Sequence, residues 1–313
     1  MKIVEVGPRD GLQNETALIP TGVKIAYIDA LSETGVDEIE ASAFVSPRWV
    51  PQLDDAAAVF KGISRAKKVV YSALVPNEKG LARAIRARVD KVSLFTAASE
   101  TFNRKNINTS IAGSLQRFLP VVAGARRERL PVRAYVSTAF WCAFEGRIAP
   151  EAVVDLVNRL VDMGVGEVSI SDTVGKATPD EVRRLLDVLL PLLPAKHIAM
   201  HFHDTYGRGV ANVLAAWSDG IRTFDASAGG LGGCPYAPGA SGNVATEDVV
   251  TALEEKGVDV DVDLEKLHRA SALLTPYLVD DLRSMPEADA PVCAAAPCTT
   301  SDGCCPRYQR HEQ

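Results

Sequence analysis

Ile198-Ala199-Met200-His201-Phe202-His203-Asp204 runs from apolar residues into a polar end, and Tyr206-Gly207-Arg208-Gly209 follows it at the start of a helical pattern. Read as a strand, the stretch puts alternate side chains on opposite faces: His201 and His203 share one, Met200 and Phe202 the other. Two imidazoles spaced about 7 Å along one face can converge on a cation. Two histidines in a polar loop are the plainer reading of such a pair taken alone, and the rest of the chain decides between them.

The same unit, a short apolar strand handing over to a helix, recurs on both sides. Strands are expected at residues 3–6, 38–41, 68–74, 91–95, 132–136, 167–171, 198–203 and 223–226. Helical patterns occupy 23–33, 82–87, 111–125, 150–163, 179–190, 210–218 and 247–255, with Gly35 stopping the first and Pro150 suiting a first turn. Eight strands alternating with helices predict an α/β fold, a (β/α)8 TIM barrel. An open doubly wound sheet satisfies the same alternation, because periodicity does not show closure. A further helical segment spans residues 264–282, giving a catalytic domain over 1–282 and a tail over 283–313. The Ala, Pro, Ser and Thr content of that tail predicts poor order.

The 313 residues carry a net charge of −6 and 47% hydrophobic residues, which suits a large globular core. Mild acidity offers no field for nucleic acid. No segment has the roughly 18 uninterrupted apolar residues of a membrane span. A strand beginning at Lys2 leaves no room for a signal peptide, so a cytoplasmic location is expected. Cys142 and Cys234 lie in the body of the chain, and Cys293, Cys298, Cys304 and Cys305 crowd the tail without the paired spacing of a zinc site.

In such a barrel the carboxyl ends of the strands carry the chemistry. The first strand ends in Gly7-Pro8-Arg9-Asp10-Gly11-Leu12-Gln13-Asn14-Glu15, the second at Glu40, the sixth at Ser171-Asp172-Thr173-Val174-Gly175 and the seventh at the histidines. The eighth leads into a loop with five glycines between Gly229 and Gly239 that contains Cys234 and ends at Asn243. Asp10, His201, His203 and Asn243 offer a carboxylate, two imidazoles and a carbonyl oxygen, a set suited to Mg²⁺ or Mn²⁺ with positions left for substrate oxygens. Glu40 can orient these ligands. Arg9 places a permanent cation beside them, suited to an oxygen that gains negative charge, or else to a salt bridge with Glu40. Asp172 reads equally as a functional carboxylate or as the cap of its own turn.

Val6-Gly7-Pro8-Arg9-Asp10-Gly11-Leu12-Gln13-Asn14-Glu15, Ser171-Asp172-Thr173-Val174-Gly175, His201-Phe202-His203-Asp204 and Gly230-Leu231-Gly232-Gly233-Cys234-Pro235 together resemble the 3-hydroxy-3-methylglutaryl-CoA lyases, within the metal-dependent lyase and synthase barrels. The resemblance runs from about residue 2 to residue 282 and leaves the cysteine-bearing tail without a counterpart. It implies Asp10, His201, His203 and Asn243 as metal ligands, Arg9 at the thioester carbonyl, Cys234 as an active-site cysteine on a mobile loop, and Glu40 and Asp172 as acidic site residues. Asp172, His201 and Cys234 are its candidates for proton transfer. An acyl-CoA substrate, a homodimer and a role in leucine degradation follow from the same resemblance. Lyase action on a longer branched 3-hydroxyglutaryl-CoA, or acetyl-CoA-condensing synthase action, are the alternatives within the superfamily.

Overall fold

The computed structural model describes residues 1–233 and 242–278. Eight parallel strands close into a barrel: Lys2–Glu5, Glu38–Ala43, Val70–Leu74, Lys91–Ala97, Val132–Ser137, Glu167–Asp172, Ile198–Phe202 and Thr223–Ala226. Each lies beside its neighbours in sequence, and the first closes on the eighth with Lys2 opposite Thr223 and Glu5 opposite Ala226. That pairing excludes the open sheet.

Helices cover the barrel where the periodicity places them, among them Thr21–Leu31, Glu78–Arg86, Ile111–Arg127, Pro150–Asp162, Pro179–Leu189, Gly209–Ser218 and Thr246–Glu254. Their buried faces meet the outward residues of the strands, such as Ile39, Leu94, Ile170 and Met200, in one apolar shell. Pro179–Leu189 shows how firmly a local signal fixes a boundary. Thr178 caps it and Glu181 answers in a reciprocal capping box. Two helices, Ala56–Gly62 and Glu100–Ile107, were not expected; the first is only seven residues long, too short to show a period. The terminal segment is helical over Leu264–Ala272, and residues 279–313, with the tail cysteines, lie outside the described residues.

The barrel interior is polar. Lys2, Glu38, Lys91, Arg133 and Glu167, near the amino ends of their strands, meet across the axis: Lys2 lies 2.8 Å from Glu38 and 3.5 Å from Glu167, and Lys91 lies 3.0 Å and 2.8 Å from the same two. Of these pairs only Lys2 and Glu38 stand on neighbouring strands; the others join non-adjacent strands and meet through the interior. Alternation then sends Ile39, Val92, Val168 and Ile198 outward to the helices.

Candidate active site

At the opposite end, the first strand stops in a π-helical turn over Gly7–Gly11. The carbonyl of Val6 accepts from the backbone N–H groups of Arg9, Asp10 and Gly11 at 3.1, 2.7 and 3.2 Å. A wide turn of this kind projects two successive charged residues over the barrel mouth. Gly7 is required here, since a Cβ would sit 2.6 Å from the Tyr27 hydroxyl and 2.7 Å from Glu5 Oε1.

Arg9 is buried and donates through Nε to Glu40 and through Nη1 to Asp10 Oδ1, the latter at 2.5 Å. The Tyr135 hydroxyl donates to the same Glu40 oxygen at 3.0 Å, and the guanidinium lies 5.1 Å from the Tyr135 ring centre. Burial alone would make Arg9 easier to deprotonate, but Glu40 and Asp10 outweigh it and raise its pKa, so it stays a cation. Burial likewise pushes Asp10 up, and Arg9 with the two imidazoles brings it below the ordinary carboxylate value. The salt bridge to Glu40 thus coexists with a buried permanent cation beside Asp10.

The seventh strand ends at Phe202, one residue earlier than expected, because His203 leaves the ladder for a bridge with Asn243. Val244 N–H donates to the Phe202 carbonyl at 3.0 Å and Asn243 N–H to the Gly232 carbonyl at 2.8 Å, which brings Asn243 back to the rim. Gly232, at φ 100°, passes so close that a Cβ would stand 2.9 Å from Asn243 Nδ2. That amide nitrogen donates to Asp10 Oδ2 and to the Leu231 carbonyl, each at 3.0 Å. Its Oδ1 is buried and has no hydrogen-bond partner among the described residues, and neither has His203 Nδ1.

His201 and His203 share a face as the alternation predicts, with ring centres 5.3 Å apart. Ligand atoms of Asp10, His201 and His203 all lie within 4.8 Å of one another, a group that can hold a metal ion. Burial, then His201, pushes His203 down to about 4, leaving it in the neutral form that ligates. Two of the buried polar atoms left without partners, Asn243 Oδ1 and His203 Nδ1, fit such an ion. A cleft of about 300 Å³ opens over the group, lined also by Gln13, Ser171 and Tyr135. A second, of about 380 Å³, shares Arg9, Gln13, Trp49 and Asn106 with it.

Asp172 is not brought into this cleft. It pairs in register with Phe202 while Ser171 pairs with His201, and its carboxylate accepts from Ala177 N–H at 2.8 Å and Lys176 N–H at 3.3 Å. Burial pushes it up to about 7. It caps its own turn, the plainer of its two readings. Cys234 lies outside the described residues. Tyr135, Arg133, Ser169 and Asp225 went unread in the sequence, although polar residues two apart inside an apolar strand, as in Arg133-Ala134-Tyr135, are the signal for an inward face.

A family model described as HMGL-like matches residues 1–274. The chain belongs to the HMGL-like family. Within it, the chain is 50% identical over 267 residues to the mitochondrial hydroxymethylglutaryl-CoA lyase of Gallus gallus, covering 85% of this chain and 90% of the relative. It is 49% identical over 270 residues to the cytoplasmic 3-hydroxy-3-methylglutaryl-CoA lyase of Rattus norvegicus, covering 86% and 79%. An HMG-CoA lyase from Acinetobacter baumannii, solved with coenzyme A and 3-methylmalate, superposes with a TM-score of 0.88 at 40% identity, covering 95% of this chain and 98% of that one. Among the described residues of this HMGL-like chain, no helix is long and apolar enough to cross a membrane.

Proposed function

We propose that the chain is a carbon–carbon lyase that cleaves 3-hydroxy-3-methylglutaryl-CoA to acetyl-CoA and acetoacetate. The observation that carries this is the Asp10, His201 and His203 group in one cleft with the buried Arg9 cation, within a chain that aligns along its barrel with lyases of that name. Asp10, His201, His203 and Asn243 would hold Mg²⁺ or Mn²⁺. When bound, such an ion supplies Lewis acidity that lowers the pKa of the substrate's tertiary hydroxyl.

The residues do the rest. A base takes the hydroxyl proton, the bond between C2 and C3 breaks as the ketone of acetoacetate forms, and the electron pair moves into the thioester as the enolate of acetyl-CoA. Arg9, locked by Glu40 and Tyr135, presents its charge to that oxygen with no reorganisation. An acid then protonates the enolate carbon. Cys234 is assigned to one of these transfers; His201, held as a ligand with Nδ1 toward Asp225, has no free nitrogen for the other. Cys234→Ser is expected to bind metal normally and turn over far more slowly; near-native turnover would remove the thiol from the scheme. The second cleft offers room for the remainder of the thioester. A homodimer and a cytoplasmic location are carried over as part of the proposal, the first read by light scattering as about twice the 33.5 kDa chain.

The test is an assay of the purified chain with added Mg²⁺ or Mn²⁺. The substrates are 3-hydroxy-3-methylglutaryl-CoA, an analogue with a longer branch, and acetyl-CoA with a 2-oxo acid. Acetoacetate and acetyl-CoA from the first substrate are expected. Preference for the longer branch, or condensation alone, would overturn the assignment.

A further inference from the structure

The geometry points to Asp225 as the positioning residue for His201, itself held by Arg133 and Ser169. The inference rests on the reading of His201 as a metal ligand. Asp225 and His201 are register partners on adjacent strands, and both face the barrel interior. His201 Nδ1 is buried and makes no hydrogen bond of ordinary geometry among the described residues; Asp225 Oδ2 lies 3.4 Å from it.

Asp225 has no freedom to turn away. It is 1% exposed, Arg133 Nη2 reaches both of its oxygens, and the Ser169 hydroxyl donates to Oδ2 at 2.8 Å. Tyr135 meets the imidazole edge-on, with ring centres 6.1 Å apart at 86°. The ring is therefore bounded on one side by an aromatic wall and on another by a fixed anion. With Nδ1 turned to that anion, Nε2 is the nitrogen left for Asp10 and His203. Carboxylate behind a ligating imidazole fixes both the tautomer and the aim of the ring, and its loss typically weakens metal binding about 10- to 100-fold. Asp225 touches neither substrate nor ion in this arrangement and acts through His201.

A purely structural ion pair would show the same contacts, so the test reads metal affinity rather than turnover. Mn²⁺ binding to the metal-depleted full chain is measured by electron paramagnetic resonance, with circular dichroism confirming the fold. Asp225→Asn is expected to weaken Mn²⁺ binding about 10- to 100-fold. Because Asp225→Asn leaves the Arg133 cation buried, a second variant, Asp225→Leu with Arg133→Met, exchanges the pair for apolar groups and is expected to weaken binding as much. Glu38→Gln with Lys91→Met disrupts buried charges that do not touch Asp225 or His201, and is expected to bind within about twofold of native. Native affinity in either folded Asp225 variant would overturn the inference. Equal weakening in the Glu38 and Lys91 variant would do so too, since the effect would then be general. His201→Ala keeping native affinity would instead overturn the ligand assignment beneath it.

Discussion

The two ends of the barrel bury charge in opposite ways. At the floor, Glu38 meets Lys2 and Lys91, and Glu167 meets Lys91 at 2.8 Å and Arg133 at 3.4 Å, so every charged side chain faces one of opposite sign. Burial would push Glu38 up, but Lys91, Arg133 and Lys2 hold it down to about 2. At the mouth, Arg9 is equally well paired, yet Asn243 Oδ1 and His203 Nδ1 are left without partners and three ligand atoms crowd together. An unmade hydrogen bond on a buried group costs about 1–3 kcal/mol. The floor carries such atoms too, Glu38 Oε1 and Arg133 Nε and Nη1, but they belong to side chains whose opposite charges offset one another. At the mouth they stand beside the converging ligand atoms of Asp10, His201 and His203, where a bound cation would offset the cost.

Variants at the two ends should therefore fail differently. Arg9→Gln is expected to give the largest effect, a loss in kcat of about 100- to 1,000-fold, because it removes a preorganised cation where charge develops. Mn²⁺ affinity should largely survive, since no ligand is lost. A rise confined to KM would make Arg9 a uniform binding group.

Glu38→Gln tests the floor. With a folded value of about 2 against an ordinary 4.5, Glu38 contributes about 3 kcal/mol that is present above pH 4.5 and lost as pH falls toward 2. The variant is expected to be less stable by about that amount at neutral pH, with a flatter acid limb in urea titrations and native Mn²⁺ affinity. An unchanged acid limb would show that Glu38 titrates elsewhere than the geometry implies.

Thr178→Ala gives the smallest effect and serves as the control outside both regions. Losing the capping box of Pro179–Leu189 should cost about 1 kcal/mol in stability and leave turnover per folded molecule unchanged. A matching loss of turnover would mean that stability alone governs the rate, and the contrast between mouth and floor would dissolve.

The sequence carried the barrel because its strands and helices announce themselves locally: Thr223–Ala226 and the capped start at Pro179 fall where period and cap place them. It also placed Asp10, His201, His203 and Asn243 at one rim, since each stands at a strand end or a loop return. Closure was not local and needed the pairing of Lys2 with Thr223. The direction of Asp172 was hidden because alternation gives two faces without saying which is inside; Asp172 is the very next residue after Ser171, which lines the cleft. Asp225 was invisible for a related reason. Its meaning comes from Arg133, Ser169 and His201, which lie 92, 56 and 24 positions away and meet only through the barrel interior.

Metal dependence bears on the central claim most directly. The chain is stripped by exhaustive chelation, its metal content verified as nil, and turnover of 3-hydroxy-3-methylglutaryl-CoA followed as Mn²⁺ is returned, for native protein and for His203→Ala. Activity should vanish in the stripped native protein and return as one Mn²⁺ per chain binds, while His203→Ala should need far more metal for any recovery. Undiminished turnover by the stripped native protein would contradict the account.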